Sequence, residues 1–179
     1  MVWGDRLKEE KHKNGIASIV GKMAAYFGSD VRRINHALKV HSFAKCIGEL
    51  EGLSGETQNI LEAAAVLHDI GIKESERKYN SSAGKYQEIE GPPVAKELLK
   101  EEGFGETDLE RILFLIGNHH SYGKIDGGDF QILVEADFLV NIYEDDMQAD
   151  AVRSVANKYF RTKTGTGLLE SMYLNQAPG

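Results

Sequence analysis

The chain has 179 residues, 41% of them hydrophobic and 27% charged, a soluble globular mixture with enough chain for one well-filled core and too little for two. With 28 acidic residues against 21 Lys and Arg, the formal charge is −7, which argues against a nucleic-acid duplex as partner but leaves small phosphorylated ligands open. No run approaches the roughly 20 apolar residues of a membrane span, and the opening MVWGDRLKEEKHKNG lacks the apolar core of a signal peptide, so a cytoplasmic protein without membrane insertion is expected.

Helical periodicity recurs along the chain and no alternating run bounded by hairpin signals interrupts it, so the fold class expected is all-α. Residues 1–14 read as an N-terminal extension and 15–179 as one domain. A first helix fits about Ile16 to Phe27, and Asp30 can cap a longer one to about Leu50, which carries the single cysteine, Cys46, as an expected buried thiol. Ser54 can cap a third helix through AAAVLHD, with Gly71 as its left-handed stop and His68 and Asp69 in its last turn. The polar stretch Lys73 to Gly84 reads as a loop. Pro92 and Pro93 fit a helix start, running to about Glu102, and Thr107 with Glu110 offers a capping box for a helix ending at His119 and His120. Two further helices fit about Phe130 to Tyr143 and Met147 to Phe160, and the loop RTKTGTG leads into a short terminal helix around Leu168 to Leu174. A homodimer is a further expectation, from the small size and a spare apolar face on the terminal helices.

Between Ala63 and Lys73 the chain reads AAAVLHDIGIK, which sets His68 and Asp69 inside an apolar run. An ionised carboxylate in apolar surroundings requires a partner, either a hydrogen-bonded polar neighbour at a helix end or a metal ion. Two more helices carry metal-compatible residues on apolar faces. His36 shares a stripe with Val40, Phe43, Ala44 and Ile47, and Asp137 sits with Leu133 and Val140, with Glu135 the competing acid in that segment. His41 lies on a mixed face and His12 in a run of charges, where solvent or packing roles are expected.

His36, His68-Asp69 and Asp137, in that order on three helices, resemble the signature of the HD-domain metal-dependent phosphohydrolase superfamily. The resemblance extends to RINHALKV, with Arg33 in the family's Arg position, and to the wording from Val66 to Lys73. It implies a single-domain HD-type helical bundle with a divalent ion (Mn, Fe, Zn, Ni, Co or Mg) held in the core between helices. Members with two metals carry additional histidines resembling His-Pro-x-x-Gly-Ala and a later His-His pair. Here Glu90 of EGPPVA stands where the earlier His would be, while His119 and His120 keep the pair, so Glu90, His119 and His120 are candidate ligands of a second ion. Glu90 could alternatively orient or deprotonate water.

The activity implied is metal-assisted water attack on the phosphorus of a small substrate, a nucleotide or nucleotide derivative, with Asp69, Glu90, Lys73 and Arg33 as catalytic candidates. Lys73, at the mouth of the third helix, and Arg33, one turn from His36, are candidate phosphate-binding cations; Arg77, Lys78 and Lys85 in the polar loop are others, each with the alternative of a solvated surface charge. KTGTG lacks the spacing of a nucleotide phosphate loop and is expected only to edge the site. Two other readings keep the fold: a diiron oxygenase, and a metal-stabilised nucleotide-binding sensor without catalysis.

Overall fold

A computed structural model describes residues 15–175, and every regular element among them is helical. Helix α1 spans Ile16–Phe27, α2 Val31–Glu51 and α3 Gly55–Leu67. The chain continues through α4 (Ile72–Tyr79), α5 (Gly84–Leu99), α6 (Glu106–Ile116) and α7 (Gly128–Glu144), and finishes in α8 (Ala149–Tyr159) and α9 (Lys163–Leu169). A single π turn, Glu170–Leu174, follows α9 directly. The anticipated caps at Asp30 and Ser54 are made, each side chain accepting from the backbone N–H three residues on. The expected N-terminal extension, with His12, lies outside the described residues. No helix among the described residues is long and apolar enough to cross a membrane.

α3 lies at the centre, buried without interruption from Ile60 to His68, with α2 and α7 packed along it. Burying each of its large apolar side chains contributes about 1.5–3 kcal/mol. The stripe Val40, Ala44 and Ile47 seats α2 on this core and carries His36 inward with it. Cys46 falls beside that stripe and is exposed, not buried as expected.

Several boundaries differ from the sequence reading. α3 ends at Leu67, so His68 caps it and Asp69 begins a turn. Gly71 is not left-handed, at φ −72°; it is required because a Cβ there would lie 2.5 Å from Gln87 O and Gly91 N on α5. The polar stretch after it folds as α4, supported by the Glu74–Arg77 pair and stopped by Asn80 at φ 49°. Pro92 and Pro93 lie inside α5, which begins eight residues earlier because the turn before Pro92 packs on Gly71 and on the end of α6. The Thr107–Glu110 capping box is not formed, since α6 starts from Gly105 without a side-chain cap, and it ends at Ile116, short of the histidine pair.

KTGTG forms the start of α9 instead of a loop at the site, with Thr162 as N-cap. Glu135 holds this junction, accepting from the Arg161 and Thr162 backbone N–H groups at 2.6 and 2.9 Å. Arg111 on α6 grips Asp126 and Asp129, fixing the connection between the histidine pair and α7. Replacing Gly71 by Ala should destabilise the fold by about 1–3 kcal/mol, since backbone and not a mobile side chain meets the new methyl. Urea unfolding of the variant checks this, and an unchanged midpoint would contradict the close approach.

Candidate metal centre

Three elements deliver the first donor set. α2 contributes His36, the cap and turn that follow α3 contribute His68 and Asp69, and the middle of α7 contributes Asp137. His36 Nε2 lies 3.2 Å from His68 Nε2, 3.3 Å from Asp137 Oδ1 and 3.6 Å from Asp69 Oδ2. His68 Nε2 is 3.6 Å from that same Asp69 oxygen and 3.7 Å from Asp137. Asp137 thus prevails over Glu135 because its face of α7 points at the two rings.

The other nitrogen of each ring settles its tautomer. His68 Nδ1 lies 2.8 Å from Ala65 O, and a carbonyl only accepts, so the hydrogen is on Nδ1 and the Nε2 lone pair faces the cluster. His119 repeats this arrangement against Ile116 O at 2.8 Å. His36 Nδ1 sits 3.1 Å from the Glu144 carboxylate, which also pairs with Lys39. A carboxylate or carbonyl behind the ring is the usual support of a metal-ligating histidine.

A second set shares Asp69. Its Oδ1, the oxygen turned away from His36 and His68, is 3.3 Å from His119 Nε2, and His120 joins this set. Both histidines reach it because they lie in the turn after α6 and not on the helix itself. Their Nε2 atoms are buried without a hydrogen-bond partner, which is the condition of a donor meant for an ion. Gly84 lets the first turn of α5 close over His120, since a Cβ there would meet the ring at 2.5 Å. Glu88 holds the turn by accepting from the His120 N–H and the Ser121 hydroxyl.

The electrostatics demand positive charge here. Burial disfavours a charged His36 ring, but hydrogen bonding to Asp137, the charges of Asp69 and Asp137, and hydrogen bonding to Glu144 outweigh it and raise its pKa to about 9. His68 is also raised, against burial, by Asp69 and Asp137. Despite burial, the histidines hold Asp69 and Asp137 well below the usual carboxylate range. Burial and the neighbouring His119 push His120 down to about 4, leaving it neutral with a free lone pair. A proton can supply part of the missing charge, whereas a divalent ion supplies more and accepts several donors at once. Imidazole nitrogen and carboxylate oxygen are ligands that suit such ions, so the residues fit a metal.

Other sequence candidates lie elsewhere. Glu90 is not among the converging donors: its carboxylate is taken by Lys78 and by the Tyr79 hydroxyl at 2.9 Å. Lys73 donates to Tyr26 O at 2.8 Å and lies over the Tyr26 ring, Arg77 pairs with Glu74, and Lys85 lies over Tyr86. Arg33 does line the cavity containing His36 and Asp69, but Asp30 and Glu76 neutralise it. His41 pairs with the buried Glu62 at 3.0 Å, a packing role as expected. Sequence reasoning passed over Glu144 and Asn141, whose amide donates to Asp137 Oδ1 at 2.8 Å. Both carried a signal, Asn141 standing four and Glu144 seven residues after Asp137 on one helix face.

That cavity, about 360 Å³, is the route to the centre from solvent. A larger one of about 730 Å³ is walled mainly by apolar residues such as Phe43, Leu139 and Met147 and contains no member of either donor set.

A divalent ion must displace the His36 proton, so apparent metal affinity should rise with pH between about 6.5 and 9, roughly tenfold per unit for each proton released, and level off above. Calorimetric titration across that window checks the sign; a flat affinity contradicts it. Glu144→Gln should weaken metal binding by about 10–100-fold by replacing the negative carboxylate behind His36 with a neutral amide.

A comparison with protein-family models matches the HD domain over residues 33–157, a span that contains both donor sets. Searches of curated proteins and of solved structures found no match.

Proposed function

Because the chain belongs to the HD-domain family, we propose that it is a metal-dependent phosphohydrolase cleaving a phosphate ester or anhydride of a small phosphorylated compound, with nucleotides and their derivatives as the leading substrate class. The observation that carries this reading is the convergence of one oxygen each of Asp69 and Asp137 within 3.7 Å of the His36 and His68 Nε2 atoms, beside a solvent-reaching cavity that His36 and Asp69 line. Bound there, a divalent ion supplies a Lewis acid for a phosphoryl oxygen and lowers the pKa of water toward neutrality.

The chain's own residues fix what surrounds that chemistry. The carbonyls of Ala65 and Ile116 keep the lone pairs of His68 and His119 aimed inward. Asp69 turns one oxygen to each donor set, and so carries the spacing between two halves of the centre. Asn141 leaves Asp137 ionised and oriented by donating to it. Glu90 acts in this reading as an anchor for α4 on α5 through Lys78 and Tyr79, and the second donor set is Asp69, His119 and His120.

Protein loaded separately with Mn, Fe, Co, Ni, Zn or Mg should release phosphate from at least one member of a panel of nucleotides, sugar phosphates and phosphodiesters. Asp69→Asn should lower that activity by about a hundredfold or more. No cleavage with any metal would sink the proposal. The second donor set keeps an oxygenase reading open to the same protein: two irons per chain with O₂ consumption on an organic substrate would favour it over hydrolysis.

A further inference from the structure

The phosphohydrolase reading needs a cation to hold the substrate's phosphate, and the lysines and arginines singled out from the sequence are occupied or turned elsewhere. Arg32 is different. It stands four residues before His36 on α2, so the two side chains share a helix face about one turn apart. It lines the same cavity as His36 and Asp69. Its neighbour Arg33 forms ion pairs with Asp30 and Glu76, but Arg32 makes no hydrogen bond or ion pair with another described residue. An arginine without a carboxylate, one turn from a metal-compatible histidine, presents a planar fork that matches two phosphoryl oxygens.

The rest of the cavity narrows the ligand. Asp30, Glu144 and Asp145 also line it, and Asp145 has no side-chain partner among the described residues. Asp30 is paired with Arg33 and Glu144 with Lys39 and His36, so Asp145 is the carboxylate left to repel a second anionic group extending from the first. The volume of about 360 Å³ lies at the small end for ligand sites. Resting on the hydrolase reading, we propose that Arg32 grips the terminal phosphate of a compact phosphate monoester whose remaining body is uncharged or hydroxylated, and that polyphosphates and diesters are the poorer ligands of this site.

The test reads binding without turnover. Inorganic phosphate, methyl phosphate and dimethyl phosphate are titrated calorimetrically into metal-loaded protein, as wild type, Arg32→Ala and Arg32→Lys, with metal content and melting temperature measured for each. Phosphate and methyl phosphate should bind wild type comparably, with dimethyl phosphate at least tenfold weaker. Arg32→Ala should weaken phosphate at least tenfold at unchanged metal content, and Arg32→Lys should restore part of the loss, because a point charge replaces the fork. Unchanged phosphate binding in Arg32→Ala, absent phosphate binding in wild type, or dimethyl phosphate binding as well as methyl phosphate would each overturn the assignment. A protein that binds phosphate through Arg32 yet cleaves nothing defeats the hydrolase reading alone. One that hydrolyses esters with Arg32→Ala unimpaired defeats this assignment alone.

Discussion

The Nε2 atoms of His36 and His68 lie 3.2 Å apart and 3.3–3.7 Å from negative oxygens of Asp69 and Asp137, in a place largely shielded from water, and such donors repel unless positive charge lies among them. The helices on which they ride are fixed independently. α3 is buried along its length, α2 is seated by Val40, Ala44 and Ile47, and α7 is buried on both sides of Asp137. The apolar core therefore works against the natural separation of these groups, and an ion relieves the conflict. An ion bound there would couple its own binding to folding through the same three helices.

Asp69 gives the centre its division of labour. With one oxygen toward His36 and His68 and the other toward His119, a single carboxylate is common to two donor sets, so charge placed in one set is felt directly in the other. The two sets are not equivalent. His36 has the Glu144 carboxylate behind it, whereas His120 has a buried, unpartnered nitrogen and a depressed pKa. The first set is richer in negative support, which makes it the stronger attractor of a hard divalent ion.

The core donors were legible in the sequence because each sat on a helix whose apolar spacing fixed its direction: His36 with Val40 and Ile47, Asp137 with Leu133 and Val140. The all-α class was legible for the same reason. What escaped was decided by contacts between elements. Gly71 looked like a helix stop but is a point of close approach to α5, a constraint on which Gln87 and Gly91 have as much say. α4 was hidden because its face is almost wholly polar, so no apolar period marked it. Glu90 occupies a position resembling that of a ligand, yet Lys78, one helix away in space, claims its carboxylate. The reach of long cations such as Lys73 and Arg77 is set by the nearest acceptor, which spacing along the chain does not reveal.

His68 and His119 each bond the carbonyl three residues earlier, at the very ends of α3 and α6, so the centre stands where two helices terminate. The aligned peptide units of a helix leave about half a negative charge at that end. Part of the field that welcomes a cation is thus written into the main chain, in groups that no side-chain replacement removes. A site stripped of one ligand would still face an electronegative backbone, which sets a floor under how thoroughly point substitution can abolish its attraction for positive charge.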